Sequence, residues 1–334
     1  MYQAGISSLR SAARSLFRAS RPSQAPAQAP SSPRFRSTVD SKQLIRAGVV
    51  RPRFVLAAAG SNPTDADRPC QTVVGAKEGA LLVEFETRGN VAIITINRPQ
   101  ARNAVNGDVA RGIEAGLDRL ESDESLWVGI LAGNGSVFCA GADLKAINSG
   151  QAAELATSKG GFGGLVARTR TKPLIAAVDG PALAGGTELC LACDMIVASR
   201  QARFGVPEVK RSLAAAAGAL FRLARVLPRN VANYLVTTGE PISAEDCARY
   251  GMVNVLCEPG QALDKALELA QLVSKNAPLA VRESMAVMRE CAMADDATGF
   301  RRSTQAMMTL AQTEDFWEGP RAFIEKREPV WKGK

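Results

Sequence analysis

The chain has 334 residues, 46 % of them hydrophobic and 22 % charged, an ordinary globular composition able to bury a core without disulfide or metal staples. It contains no histidine, which excludes Ser-His and Cys-His nucleophilic pairs, His-ligated zinc and a histidine pH switch. The net charge of +8 is not a nucleic-acid signal, because residues 1–39 carry six Arg and no Lys, Asp or Glu, leaving the remainder at +2.

In the first forty residues, Arg10, Arg14 and Arg18 recur every four positions, with Ile6, Leu9, Ala13, Leu16 and Phe17 on the other side of a helical wheel. This basic, acid-free amphipathic pattern resembles an organelle transit peptide, so residues 1–40 are expected to be a presequence. It predicts the mitochondrial matrix, with a plastid as the alternative. Residues 41–78 continue a stretch rich in Pro, Ala, Ser, Gln and Arg and are expected to form a disordered linker. No membrane span is expected. The seven cysteines, at 70, 139, 190, 193, 247, 257 and 291, are an odd number scattered through apolar runs and read as reduced, buried thiols.

Order is expected from near Leu81. Val83, Phe85 and Thr87 alternate with Glu84 and Glu86, Arg88-Gly89-Asn90 supplies turn chemistry, and Val91 to Asn97 is again β-branched, which predicts a hairpin. Val109, Ile113, Leu117 and Leu120 then share one helical face opposite Glu114, Asp118 and Glu121. Strands are predicted at Trp127 to Ala132 and Leu174 to Val178, the second after a glycine-rich stretch at 160–164. Strands alternating with helices define an α/β chain with mostly parallel pairing. Ser243-Ala244-Glu245-Asp246 reads as a capping box. Beyond it the chain is helical, with an interruption at Pro278 and a Met-rich stripe suited to core or subunit contact. Residues 79–262 are thus expected to form the core and 263–334 a helical region.

Two turns of small residues each follow a buried strand: Cys139-Ala140-Gly141-Ala142-Asp143-Leu144-Lys145 and Ala184-Gly185-Gly186-Thr187-Glu188-Leu189, the latter running into a helix. Small residues let a ligand approach the backbone, and free N–H groups at a helix start can bind a developing oxyanion. Glu188 lies on the first turn of an apolar helix and Glu208 twenty residues later in Phe204-Gly205-Val206-Pro207-Glu208-Val209. Facing one cleft, two buried carboxyls can divide acid and base work; alternatively Glu188 complements the helix dipole and Glu208 caps, or pairs with Lys210 or Arg211. Cys190 and Cys193 have no partner pair elsewhere and read as structural thiols rather than a metal or redox site.

Taken together, N-R-P-x-A-R-N-A-V at 97–105, F-C-A-G-A-D-L-K at 138–145, K-P-L-I-A-A-V-D-G at 172–180, A-L-A-G-G-T-E-L at 182–189 and F-G-V-P-E-V at 204–209 closely resemble the crotonase (enoyl-CoA hydratase/isomerase) superfamily from about Leu81 onward. The resemblance implies an α/β spiral of ββα units with a helical C-terminal region that builds homotrimers, often paired as dimers of trimers. It implies an acyl-CoA thioester held by the backbone N–H groups of Ala142 and Gly185, and Glu188 and Glu208 holding the water added across C2=C3. By the same matching, Ala101, Arg102 and Ala104, with Ala140, Gly141, Ala142, Asp143, Leu144, Lys145 and Gly186, would contact CoA or substrate. No metal and no cofactor beyond the coenzyme A of the substrate is implied. Isomerase, dehydratase or acyl-CoA hydrolase chemistry on the same scaffold is the nearest alternative, and a non-catalytic or RNA-binding homologue a second. One departure stands out. The family commonly carries a Gly or Pro-Gly turn after the second glutamate, whereas Ser212 to Ala219 includes four consecutive alanines, so this loop is expected to differ.

Overall fold

A computed structural model describes residues 81–334; the expected presequence and linker lie outside the described residues. The chain opens with the predicted hairpin, β1 (Val83–Arg88) and β2 (Val91–Ile96), paired antiparallel around Gly89 at φ 58°. Helix α1 (Gly107–Ser122) follows, capped where the Asn106 side chain accepts from Val109 N, and it buries Val109, Ile113, Leu117 and Leu120 as its spacing requires. Its polar face is not merely solvated. Glu114 accepts from Thr157, Asp118 pairs with Lys159 and Arg168, and Glu121 accepts from Thr171 and Lys172, so this face docks the 157–172 loop.

Strand β3 (Val128–Gly133) leads to α2 (Leu144–Asn148), to the short β4 (Ala156–Thr157) and β5 (Gly161–Phe162), and to β6 (Leu174–Val178). There follow β7 (Ala182–Leu183), α3 (Gly185–Ala192), β8 (Met195–Ser199), β9 (Arg203–Gly205), α4 (Ala219–Val226) and α5 (Arg229–Thr238). Then come β10 (Ile242–Ser243), α6 (Ala244–Arg249) and β11 (Val255–Cys257). Ser243 accepts from Asp246 N at 3.0 Å as a cap; the return arm is its hydroxyl donating to the Asp246 carboxylate.

The main sheet runs β1-β2-β3-β6-β8-β11, parallel throughout except at the hairpin. Both faces are covered, which explains the unbroken apolar strand LIAAV and the largely apolar VAIITI, where only Thr95 is half-buried. Ile94, Leu131 and Ala176 face α1, α3 and α4, while Ile93, Ile130 and Ile175 face Ala262, Ala266 and Ala270 of α7 (Ala262–Ser274).

A second layer consists of β10-β9-β7, extended by single-residue parallel bridges from Ala182 to Cys139 and from Val105 to Ala142. Successive turns of the chain therefore stack their small-residue segments side by side. Pro278 opens α8 (Pro278–Cys291) at its first position, where a missing N–H costs nothing, and α9 (Asp296–Leu310) and α10 (Glu314–Glu325) complete the chain. Met288, Phe300, Met307, Phe323 and Ile324 are exposed along these helices. Among the described residues, no helix is long and apolar enough to cross a membrane.

Candidate active site

The second layer carries both small-residue turns onto one cleft. Val105 N donates to Gly141 O at 2.8 Å and Asp143 N to Val105 O at 2.9 Å, so the intervening Ala142 directs its own N–H away from this bridge. Ala142 lines the cleft. Gly185 opens α3, where the first N–H groups have no intrahelical acceptor. The chain enters α3 through Ala184 at φ 53°, ψ −126°, a conformation that costs a side-chain-bearing residue about 1–3 kcal/mol and marks a site held by its surroundings. Those surroundings are visible. Ala184 N donates to Gly205 O at 2.8 Å, and the Thr187 hydroxyl donates to Ala182 O at 2.7 Å while accepting from Gly205 N at 3.0 Å.

The two turns abut closely. A Cβ on Gly141, at φ 93°, would lie 3.0 Å from Gly185 N and 2.7 Å from the Ala184 Cβ; one on Gly186 would lie 2.1 Å from Cys139 O. Glycine is required at both places. Asp143 fixes the next step by capping α2 through its carboxylate and pairing with Arg98 at 2.6 Å, an arrangement that holds its carboxyl below the ordinary range despite burial.

The cleft encloses about 530 Å³ and is lined by Leu144, Ile147, Phe162 and Leu183 on its apolar side, with Glu188 and Glu208 together in its wall. Glu188 is 3 % exposed. Its Oε1 accepts from Ala219 N at 3.1 Å, and the Ala217 N–H is also directed at the carboxylate. Burial lifts the Glu188 carboxyl to about 7; the charge of Glu208 adds to this, and the two N–H groups and the Arg222 guanidinium pull the other way. Glu208 sits in the 3-10 segment Pro207–Arg211, is also raised by burial, and has a buried Oε2 with no partner. It does not pair with its neighbours, since Lys210 goes to Glu240 at 2.5 Å.

Of the residues matched from sequence, Glu188, Glu208, Ala142, Gly185, Arg102, Ala140 and Leu144 meet at this cleft. Gly141 and Gly186 stand behind its wall as spacers, and Asp143 braces it. Ala101 and Ala104 belong to the tight turn around Arg98, and Lys145 is exposed on α2; none of these three lines the cleft. Sequence reasoning missed Phe162, whose ring packs against Gly185, and Arg222. The glycine run at 160–164 was the available signal for the former.

The alanine loop resolves simply. Left-handed backbone is confined to Ser212 (φ 56°) and Gly218 (φ 117°), and the four alanines lie between them without it. The thiols of Cys139, Cys190, Cys193 and Cys247 are pushed up by burial, which makes them inert packing groups. No cluster of metal-ligating side chains occurs among the described residues.

An α/β spiral that offers two backbone N–H groups, the buried Glu188 and the half-buried Glu208 to one apolar cleft has the form of a crotonase-fold enzyme. Residues 86–334 match the family described as enoyl-CoA hydratase/isomerase, and the chain belongs to that family. It is 40 % identical to enoyl-CoA hydratase EchA19 of Mycobacterium tuberculosis over 255 residues, covering 75 % of this chain and 96 % of that protein. Mevalonyl-coenzyme A hydratase sidH of Aspergillus fumigatus is 39 % identical over 256 residues, 75 % of this chain and 94 % of its own length. Among solved structures, the crystal structure of an enoyl-CoA hydratase from Mycobacterium tuberculosis H37Rv superposes with a TM-score of 0.74 at 45 % identity, covering 76 % of this chain and all of that one.

Proposed function

We propose that this chain adds water in the syn sense across C2=C3 of a 2-enoyl-CoA, and catalyses the reverse elimination. The carrying observation is the pairing, in one cleft, of a carboxylate fixed by the Ala219 N–H with a second carboxyl whose buried Oε2 has no protein partner. The thioester carbonyl binds the N–H groups of Ala142 and Gly185, which stabilise the enolate as charge develops; each such donor contributes about 3 kcal/mol. Glu188 orients the water and takes its proton as oxygen bonds to C3, and Glu208 delivers a proton to C2. The step ends with Glu188 protonated and Glu208 ionised, and a proton passing from one to the other restores the starting state. Hydration is redox-neutral, so the reading requires no cofactor beyond the coenzyme A of the substrate.

An isomerase needs only one base, and the presence of both carboxyls favours hydration. Loss of the conjugated enoyl-thioester absorbance across a panel of 2-enoyl-CoAs tests the reading; gain of that absorbance from 3-enoyl-CoAs, without turnover of the panel, supports isomerisation instead.

The same reading extends to assembly and address. The exposed Met288, Phe300, Met307, Phe323 and Ile324 support a homotrimer or dimer of trimers as the working form. The arginine-spaced, acid-free first forty residues support delivery to the mitochondrial matrix, a plastid being the alternative destination.

A further inference from the structure

We infer that Arg222, which touches no reacting atom, is a positioning residue that ties together the two loops forming the far wall of the cleft and so fixes the N–H groups that hold Glu188. The inference rests on the hydratase reading for what Glu188 does.

Arg222 projects from the first turn of α4 and is half-buried. Its Nη2 donates to Val166 O at 2.7 Å, its Nη1 reaches Ala217 O at 3.4 Å, and the guanidinium lies against the Phe221 ring at 4.9 Å. The two carbonyls belong to different loops. Val166 closes the turn begun by Phe162, whose ring packs on Gly185, one of the two oxyanion donors. Ala217 begins the Ala217-Gly218-Ala219 turn whose N–H groups face Glu188. Bridging them links the oxyanion side of the cleft to the water-holding side. Gly218, at φ 117°, lets the guanidinium lie directly over the turn: a Cβ there would lie 1.9 Å from Arg222 Nη1. A planar fork with several donors spans two carbonyls in a way that a single ammonium does not.

The charge matters as well as the hydrogen bonds. The groups facing Glu188 are Glu208 from the 3-10 segment and Arg222 from α4; those facing Arg222 are Glu188, Arg225, Arg170 and Cys193. The Ala219 and Ala217 N–H groups that the bridge positions favour the ionised form of Glu188, and the Arg222 charge adds a smaller pull in the same direction.

The test compares the full chain with Arg222→Met and Arg222→Lys. Three readouts are collected: kcat and KM on the best enoyl-CoA, the pH profile of kcat/KM, and the pH dependence of the Tm difference between each protein and its Glu188→Gln counterpart. The last reports Glu188 ionisation without substrate. Arg222→Met is expected to lower kcat about 10²-fold with little change in KM, and to move the acid limb of the profile upward. Arg222→Lys is expected to restore the limb, through its charge, but only part of kcat. A loss in kcat that is uniform with pH, with no movement of Glu188 ionisation in the Tm series, overturns the inference. Movement of Glu188 ionisation in a background where Glu188→Gln retains full turnover keeps the positioning role and sinks the hydratase role of Glu188. Should Arg222→Met not fold, the lysine variant decides alone: reduced kcat on an unmoved acid limb supports the bridge, and full activity contradicts it.

Discussion

Ala219 donates its backbone N–H to Glu188 Oε1 across 3.1 Å, although Glu188 lies in the first turn of α3 and Ala219 opens α4 thirty-one positions later. The N-terminal end of α4 therefore serves the carboxylate of α3. This contact fixes one Glu188 oxygen, whereas the buried Oε2 of Glu208 has no protein partner, and it makes the position of Glu188 depend on the conformation of the 214–219 loop.

The burial of Glu188 has a consequence for stability. Its folded-state pKa, about 7, lies above the ordinary value of 4.5, so the folded protein holds this proton more firmly than the unfolded chain. Stability is unpenalised below the unfolded value, declines as pH rises from there, and carries the full penalty above about 7. Glu188→Gln removes the titration. Relative to the parent, it should gain on the order of 3 kcal/mol at pH 8 and almost nothing at pH 4, read from chemical denaturation at each pH. A difference that is constant with pH would contradict the assigned burial.

Gly141→Ala places a Cβ 2.7 Å from the Ala184 Cβ at a backbone φ of 93°. The turns bearing Ala142 and Gly185 must then separate, and kcat should fall by at least about 10²-fold, the cost of losing one oxyanion donor. Gly89→Ala is the control: it has a positive φ but open space around it, so it should cost about 1–2 kcal/mol of stability and leave turnover intact.

Asp143 joins the cap of α2 to Arg98. Its depressed pKa means that its stabilisation is present above the unfolded value and lost as pH falls through the folded one. Asp143→Ala leaves the half-buried Arg98 without its carboxylate and should destabilise the fold by about 3 kcal/mol near neutral pH. The deficit should shrink in acid, where the parent loses the same interaction.

Phe300 and Met307 lie two turns apart on α9, and both are exposed. If this face joins subunits, sedimentation should give a trimer or hexamer for the parent and a smaller species for Phe300→Glu/Met307→Glu. A monomeric parent would overturn the assembly.

Much of the fold was legible because its signals are local. The hairpin, the α1 face and the Leu174–Val178 strand follow from alternation and helical spacing, and the four residues that the resemblance singled out, Glu188, Glu208, Ala142 and Gly185, line one cleft. What escaped depends on contacts distant in sequence. Arg222 carries no local sign of its role, which depends on Val166, fifty-six residues earlier, lying beside it. The second layer is built partly from single-residue bridges, which have no periodicity to detect. Ala184 adopts a backbone that its residue type disfavours, so no local preference could announce it. In the 212–219 loop, the left-handed backbone falls at Ser212 and Gly218 and the four alanines between them avoid it.

The central claim is that Glu188 and Glu208 act together on water held in one cleft. The most direct test measures hydration of a 2-enoyl-CoA by Glu188→Gln, Glu208→Gln and the double variant, alongside binding of a non-reactive acyl-CoA thioester. Each single variant should lose about 10²–10⁴-fold in kcat with thioester binding retained, and the double variant should lose far less than the product of the two. Substantial turnover remaining in either single variant would contradict the two-carboxyl mechanism.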